Sequence, residues 1–297
     1  MDNVRVLRLD RTGGPAPGNK SFKLAPYLER ARQRGVQRLV SFGGAWSNHL
    51  HALAATGAAA GFDTVGIVRC SAAEADTPML ADAMALGMQI VPVGRQAYRR
   101  RNEAAYLESI EARFAPCLLV PEGGASAAAA AGCAGIARLV AQQAPQVRQV
   151  VLAVGTGTTL AGVAAALDAR RHVLGVSALK GAHDLDDRVR GLLHALLPQP
   201  AASSRARWSI SHDFHCGGFA RSSAGLREFI LEFEAVQGIP LDPVYTAKAM
   251  YAVQQLLARG LLEHTQPLLV LHTGGLQGRR GFPWLAPPGC GPSGSGA

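Results

Sequence analysis

Paired cysteines, long apolar runs and lysine are all scarce in this 297-residue sequence. Its five cysteines are dispersed without a CxxC pair, which argues against a disulfide framework or a zinc site and favours reduced thiols. No apolar run reaches about 18 residues without a charge, so we expect no membrane-spanning helix. Residues 1–5 lack the apolar stretch of a signal peptide. Together these absences predict a cytoplasmic protein without a bound metal.

Charged residues are also few, and their pattern argues against a nucleic-acid binder. They make up 17% of the chain, against 48% hydrophobic residues, which is typical of a globular protein. The net charge is +9, but the arginines are scattered. Their one dense run, residues 99–101, precedes three glutamates on a predicted amphipathic helix, so we expect a solvated helix face. The charge fits anionic small ligands or a simple arginine bias better than nucleic acid.

Short apolar stretches alternate with helical patterns along most of the chain. Such alternation predicts an α/β fold with parallel strands covered by helices on both faces. The predicted strands are residues 4–9, 38–42, 64–69, 89–93, 117–120, 147–154, 173–177, 208–214 and 268–271. One predicted helix follows Lys20 and ends at about Gly35. The others cover residues 47–60, 77–87, 98–114, 127–143, 158–167, 181–198, 224–237 and 245–259. Glycine-rich turns follow four of the strands, where parallel sheets bind ligands.

Lys20 is one of only four lysines among 30 basic residues. It follows Gly18 and Asn19 and precedes a helical pattern, so we expect it on a turn near the positive end of a helix dipole. A lysine that is partly desolvated there has a lowered pKa and becomes a usable amine nucleophile. From this stretch alone, a solvated loop cation remains the alternative.

A glycine–threonine turn joins the strand 147–154 to the next helix. Its backbone N–H groups, threonine hydroxyls and helix dipole would suit a phosphate. The turn is not a Walker loop, because no lysine follows it, nor a dinucleotide fingerprint, because Gly162 comes too late and Ser177 replaces the expected acid. A tight strand–helix turn without a ligand remains the alternative. The residues of this turn are Gly155, Thr156, Gly157, Thr158 and Thr159.

Two further helix starts carry more polar groups than capping requires. Ser47 is an expected helix cap, which leaves Asn48 and His49 as surplus polar groups at the mouth of the sheet. Tyr245 and Thr246 begin another helix, where an Asp-Pro turn with a packing tyrosine is the alternative. His272, at the end of the last strand, is expected to be a core histidine.

Five motifs occur together in a fixed order. They are G-N-K-x-x-K-L at 18–24, S-x-G-G-x-x-S-N-H at 41–49, G-T-G-T-T-x-A-G at 155–162, L-D-P-V-Y-T-x-K-A-M at 241–250 and H-T-G-G at 272–275. This combination resembles the D-cysteine desulfhydrase / 1-aminocyclopropane-1-carboxylate deaminase family, over about residues 4–281. That family belongs to the fold-type-II pyridoxal-phosphate (PLP) enzymes of the tryptophan synthase β group.

The resemblance implies a two-lobe parallel-sheet fold and a homodimer. Residues 1–34 with 146–286 would form the larger, phosphate-binding lobe, and residues 35–145 a smaller inserted lobe. Residues 287–297, rich in Pro, Gly and Ser, would be a disordered tail. PLP would bind in the cleft between the lobes.

The resemblance also implies roles for individual residues. Lys20 matches the lysine that binds PLP covalently, and Asn48 matches the partner of the phenolic oxygen of PLP. Ser47 matches a hydroxyl that meets the substrate carboxylate. Residues 155–159 match the phosphate cradle. Tyr245 matches an active-site aromatic residue, and Thr246 matches the partner of the pyridine nitrogen.

Three departures from the family pattern refine the expected reaction. Thr246 stands where the ring-opening deaminases carry a glutamate, which favours β-elimination over cyclopropane opening. Phe219 stands where the family usually has a tyrosine, and the chain reaches Lys20 early, so an initial strand or loop is expected to be missing. We therefore expect α,β-elimination from a small amino acid, D-cysteine first, giving pyruvate, sulfide and ammonia. The alternatives are 1-aminocyclopropane-1-carboxylate deamination and a shortened, non-catalytic PLP-binding relative.

Overall fold

A computed structural model describes residues 3–71, 76–197, 205–263 and 266–285 of the chain. The predicted tail, 287–297, lies outside these ranges. The strands are β1 (Val4–Arg8), β2 (Arg38–Gly44), β3 (Asp63–Arg69), β4 (Met88–Val93), β5 (Cys117–Val120), β6 (Gln149–Val154), β7 (His172–Ser177), β8 (Arg207–Ser211) and β9 (Leu268–His272). The helices are α1 (Asn19–Gln33), α2 (Asn48–Ala60), α3 (Pro78–Ala85), α4 (Arg95–Arg99), α5 (Ala104–Phe114), α6 (Ala127–Gly132), α7 (Ala134–Gln143), α8 (Thr158–Ala166), α9 (Leu185–Leu196), α10 (Ala224–Gln237) and α11 (Thr246–Ala258).

The strands form two sheets, and every pairing within them is parallel. One sheet has the order β1-β9-β6-β7-β8 and the other the order β4-β3-β2-β5. Because parallel strands need crossover connections, helices follow most strands and cover both sheet faces. The predicted α/β fold with parallel sheets is confirmed.

The sequence of β6 is a continuous apolar run because both faces of the larger sheet are covered. Val150, Leu152 and Val154 pack into the core formed with α7 and α8. Val151 and Ala153 point to the opposite face, where they pack with α10 and α11. Both faces are therefore buried, and the two-residue period of a strand needs an apolar side chain at every position.

The smaller sheet is covered in the same way on its two faces. Leu39 of β2 packs in a core with residues of α1, α2 and α3. Val40 and Phe42 of the same strand pack on the other face with Ile110 and Phe114 of α5. The predicted caps hold here: the Ser47 hydroxyl oxygen accepts from the Leu50 amide at 3.2 Å and so begins α2.

Two predicted helices are each interrupted. The helix predicted over 98–114 is α4 and α5 with a break between them, and that over 127–143 is α6 and α7. Gly132 ends α6 where α1 approaches so closely that a Cβ would lie 2.1 Å from the Phe22 carbonyl oxygen. Helices α6 and α7 contribute Ala130 and Ile136 to the core of the larger sheet. The predicted lobe boundaries at 34/35 and 145/146 stay predictions.

The longest apolar helices fall short of what a bilayer requires: across the described ranges, none combines the length and hydropathy of a membrane span.

Candidate functional site

The loops at the carboxyl ends of both sheets border one cleft of about 1550 Å³. Eight of the predicted site residues line it, although they come from segments more than 200 positions apart. Thr158 and Thr246 are buried behind the lining instead. The lining residues are Lys20, Ser47, Asn48, Gly155, Thr156, Gly157, Thr159 and Tyr245.

Lys20 is half-buried in the first turn of α1. Its Nζ donates to Asn19 Oδ1 at 3.0 Å and lies 5.9 Å from the centroid of the Tyr245 ring. Burial lowers the pKa of Lys20, opposed by the charges of Asp242 and Cys133. The alternative of a solvated loop cation is therefore wrong, and the side chain is a partly desolvated amine facing the cleft.

Close backbone contact fixes the position of Lys20. The Asn19 amide donates to the Thr273 carbonyl at 3.1 Å, which ties the start of α1 to the end of β9. Gly18 has φ of 115°, and a Cβ there would lie 2.6 Å from the same carbonyl oxygen. Only glycine fits this approach, so the glycine before Asn19 places the amine.

The glycine–threonine turn has the geometry of an anion cradle. Gly157, with φ of 81°, precedes the first residue of α8, so the free N–H groups of this helix open toward the cleft. A Cβ at Gly155 would lie 3.1 Å from Tyr245 Cε1. The Thr156 and Thr158 hydroxyls are 2.9 Å apart. Thr159 accepts from Asn19 Nδ2 at 3.0 Å, which joins this turn to α1.

Lys23 is a site residue that the sequence reading did not single out. Its buried Nζ donates to the Gly123 carbonyl at 3.1 Å and lies 3.4 Å from Thr156 Oγ1. Burial, followed by repulsion from Lys20, lowers the pKa of Lys23 to about 7. The available signal was a second lysine three positions after the first, on the same helix face, in a chain with four lysines.

The start of α2 supplies a hydroxyl and an amide. Ser47 caps the helix through its oxygen, which leaves its own O–H free to donate into the cleft. The Asn48 side chain accepts a hydrogen bond from Gln277. Gly275 makes room for it, since a Cβ at that position would lie 2.6 Å from Asn48 Nδ2.

His49 lines the cleft, and one of its ring nitrogens has no hydrogen-bond partner among the described residues. Ser41 Oγ donates to the Val120 carbonyl at 2.7 Å, so the proton in its 2.8 Å contact with His49 Nε2 belongs to the histidine. His49 Nδ1 is then a buried acceptor for which the described ranges offer no donor. Burial and the charges of Lys20 and Lys23 lower the pKa of His49 to about 3, which keeps the ring neutral.

Asp242 organises the start of α11. Its buried carboxylate accepts from the amides of Val244, Tyr245 and Thr246 at 2.9–3.1 Å. Thr246 Oγ1 accepts from the Asp242 amide at 2.7 Å and donates to the Asp242 carbonyl at 3.2 Å. Burial, with the charges of Asp242 and Glu122, raises the pKa of Tyr245, so the phenol stays protonated. The Phe219 ring packs edge-on against Tyr245 at 6.2 Å.

His272 has partners on both ring nitrogens. Nδ1 lies 3.0 Å from Asp10 Oδ1, and Nε2 donates to the Pro240 carbonyl at 2.8 Å. It is a satisfied core histidine, as expected. Within the ranges that the structure describes, no group of three or more His, Cys, Asp or Glu side chains is arranged to bind a metal.

Comparison with known proteins finds relatives of this chain by sequence and by structure. The model of the family described as "Pyridoxal-phosphate dependent enzyme" matches residues 5–274. A Thermotoga maritima protein, provisionally named 1-aminocyclopropane-1-carboxylate deaminase, is 28% identical over 93% of this chain and 89% of its own. The D-cysteine desulfhydrase of Salmonella choleraesuis is 27% identical over 92% and 86%. The crystal structure of an ACC deaminase homologue, 23% identical, has a TM-score of 0.80 over 93% of this chain and 85% of its own.

The residues present fit a phosphorylated aldehyde. Lys20 is an amine of lowered pKa, and a Cβ at Gly155 would lie in tight contact with the Tyr245 ring. Lys23 adds a cation at Thr156, and His49 Nδ1 adds an acceptor that still needs a donor. These groups face one cleft large enough for a cofactor together with a small substrate.

Proposed function

This chain belongs to the pyridoxal-phosphate dependent enzyme family, and we propose that it eliminates the β-substituent of a small amino acid, D-cysteine first. With one water, D-cysteine gives pyruvate, hydrogen sulfide and ammonia. PLP, when bound, supplies the electron sink that makes the α-proton acidic. The observation that carries the proposal is the half-buried Lys20 amine, of lowered pKa, in one cleft with the glycine–threonine turn.

In this proposal the protein's own residues hold the cofactor at four points. Lys20 binds it covalently. Lys23 and the backbone of residues 155–159 hold the phosphate, supported by the short distance from Lys23 to Thr156. Asn48 contacts the phenolic oxygen and Thr246 the pyridine nitrogen. Because Thr246 is uncharged, it does not enforce a protonated nitrogen. To donate to a neutral nitrogen, its hydroxyl would turn away from the Asp242 carbonyl, to which it donates at 3.2 Å.

Substrate handling falls to three groups in the same proposal. Ser47 donates its free O–H to the substrate carboxylate. Lys20, once the substrate amine has displaced it from the cofactor, would take up the α-proton, for which its lowered pKa suits it. Tyr245, held as a neutral phenol by its raised pKa, hydrogen-bonds the departing thiolate as a donor. The thiolate leaves with the electron pair of the broken C–S bond.

The choice of elimination over ring opening depends on Thr246. Ring-opening deamination of 1-aminocyclopropane-1-carboxylate is the second candidate, because relatives of both names match this chain to a similar extent. Thr246 favours elimination, since a carboxylate at this position would strengthen the electron sink. A non-catalytic PLP-binding protein is the third candidate.

A substrate panel tests the proposal. The purified, PLP-loaded protein is incubated with D-cysteine, L-cysteine and 1-aminocyclopropane-1-carboxylate, and Lys20→Ala serves as the control. We expect pyruvate and sulfide from D-cysteine and none from the control. A preference for 2-oxobutyrate from the cyclopropane would select the deaminase, and PLP binding without turnover would select the non-catalytic protein.

We also propose a cytoplasmic homodimer. The dispersed cysteines, which include no CxxC pair, support a reducing compartment. Sedimentation velocity would report the oligomeric state, and a monomer at all concentrations would contradict this part of the proposal.

A further inference from the structure

A fully buried lysine lies outside the machinery proposed above. Lys248, on α11, has no exposed surface. Its Nζ donates to the Gly218 carbonyl at 2.7 Å and to the Ala178 carbonyl at 3.2 Å. No carboxylate forms an ion pair with it in the described part of the chain. Burying an ammonium in this way costs several kcal/mol unless its contacts offset the loss of water, so the contacts themselves need a reason.

The two carbonyls belong to different segments that border the cleft. Ala178 follows β7 and precedes Leu179, which lines the cleft. Gly218 precedes Phe219 and Ala220, which line it as well. The Lys248 ammonium therefore joins two cleft-lining segments to the helix that begins beside Tyr245.

The segment at 216–220 needs such a tie because its backbone is unusual. Cys216 and Ala220 have φ of 50° and 55°, although neither is glycine, and Gly217 and Gly218 have φ of 99° and 112°. Four of these five residues have positive φ and two of the four are not glycine, so this backbone persists only when the surroundings impose it.

This segment presents one large side chain to the cleft. The Phe219 ring is 55% exposed, yet it packs edge-on against Tyr245, with the ring centroids 6.2 Å apart. An aromatic ring of which half is exposed in a cleft narrows the space that remains for a substrate beside Tyr245.

We propose that Lys248 is a positioning residue that holds the segment 216–220 in place, so that Phe219 closes one side of the substrate space and favours small amino acids. This inference rests on the proposed elimination. In this proposal Lys248 itself contacts neither substrate nor cofactor. Its ammonium acts on substrate binding through the Gly218 carbonyl and the neighbouring Phe219 ring.

The test compares Lys248→Met, Phe219→Ala and the double variant in the PLP-loaded protein. Lys180→Met, at an exposed position beside the same segment, is the matched control. Because Lys248→Met would release the segment that carries Phe219, and ordering it again on binding costs affinity, we expect this variant to raise KM for D-cysteine about tenfold or more. We expect kcat to change by less than about threefold, since the lost contact serves binding rather than the chemical step.

Hydrogen exchange gives a second readout that does not depend on turnover. We expect the amides of residues 216–221 to exchange faster in Lys248→Met, but at the wild-type rate in Lys180→Met. Phe219→Ala should raise KM without faster exchange, and the double variant should raise KM no further than the larger single effect. Non-additivity of this kind indicates that both residues act through one contact.

Three results would overturn the inference. They are unchanged exchange at 216–221 in Lys248→Met, unchanged KM in Phe219→Ala, and a loss of kcat with unchanged KM in Lys248→Met. Should Lys248→Met fail to fold, Phe219→Ala still tests whether this ring contributes to substrate binding, because the exposed ring can be removed without opening the core. A wild type that eliminates nothing would refute the proposed function alone, since exchange still reports on the Lys248 tie.

Discussion

Lys23 Nζ lies 3.4 Å from Thr156 Oγ1, a residue 133 positions later in the chain. This contact joins the first helix to the turn after β6. Lys20, one helical turn earlier on the same face, directs its amine toward Tyr245. A single helix therefore supplies two desolvated amines to one cleft. We propose different tasks for them: covalent attachment of PLP for Lys20 and phosphate binding for Lys23.

Replacement of Lys23 should weaken phosphate binding more than it weakens the fold. We expect Lys23→Met to lower the affinity of the protein for PLP about 10–100-fold, because a charged hydrogen bond contributes about 1.5–3 kcal/mol. Equilibrium titration of the PLP-free protein measures this. Arg34→Met, which removes an exposed cation from the end of the same helix, is the control. Equal losses in both variants would show that general charge, not the cradle, attracts the phosphate.

The pH dependence of anion binding should follow the lysine. The pKa of Lys23 is lowered to about 7, and an anion binds the ammonium rather than the neutral amine. Affinity should therefore be highest below pH 7 and fall as the pH rises through 7. Sulfate is a suitable probe because its charge is constant over this range. In Lys23→Met the slope should shrink; a wild-type slope in this variant would contradict the assignment.

Asp10 should contribute stability that disappears in acid. Its buried carboxylate contacts Arg8 and His272. Although burial raises its pKa, the hydrogen bonds and charges of Arg8 and His272 lower it well below the ordinary value of 3.8. The folded state therefore binds fewer protons than the unfolded state in this range. The stabilisation is present above pH 3.8 and is lost as the pH falls further.

Urea unfolding measures this contribution. At neutral pH, Asp10→Asn should lower the free energy of unfolding by about 3 kcal/mol, because it leaves buried partners uncompensated. Asp63→Asn removes one partner of an exposed 3.6 Å pair with Arg38 and should cost less than about 1 kcal/mol. Similar losses in the two variants would argue against a buried charge network.

The hydroxyl of Tyr245 should matter for turnover but not for cofactor binding. Tyr245→Phe keeps the ring that packs against Gly155 and Phe219 and removes only the donor. We expect kcat to fall about 10²–10³-fold, the usual loss when a hydrogen-bond donor to developing negative charge is removed, with unchanged PLP affinity. Tyr251→Phe, on the same helix, controls for loss of a hydroxyl. Wild-type kcat in Tyr245→Phe would leave the tyrosine a packing role.

The fold could be predicted well from the sequence because its signals are local. Each buried strand is an apolar run between turn residues, and the caps at Ser47 and Thr77 follow from side chains that accept hydrogen bonds from their own helices. The close approach of Gly132 to the carbonyl of Phe22, 110 positions earlier, could not be predicted. Contacts that are distant in sequence carry no periodic signal.

The site was predicted in part for the same reason. Lys20 and the turn at 155–159 have glycines beside them, which are visible in the sequence. The chemistry of Lys23, His49 and Lys248 depends on what surrounds them: a distant threonine, a serine whose proton is already engaged, and two carbonyls on separate loops. Burial and pairing across segments decide their chemistry, and neither is a property of local sequence.

The central claim, that Lys20 is the residue that binds PLP covalently, can be tested by chemical trapping. The protein is incubated with PLP and reduced with borohydride, and its peptides are analysed by mass spectrometry. We expect one phosphopyridoxyl group, on Lys20, and none after the same treatment of Lys20→Ala. A label on Lys23, Lys180 or Lys248 in the wild type, or no label at all, would contradict it.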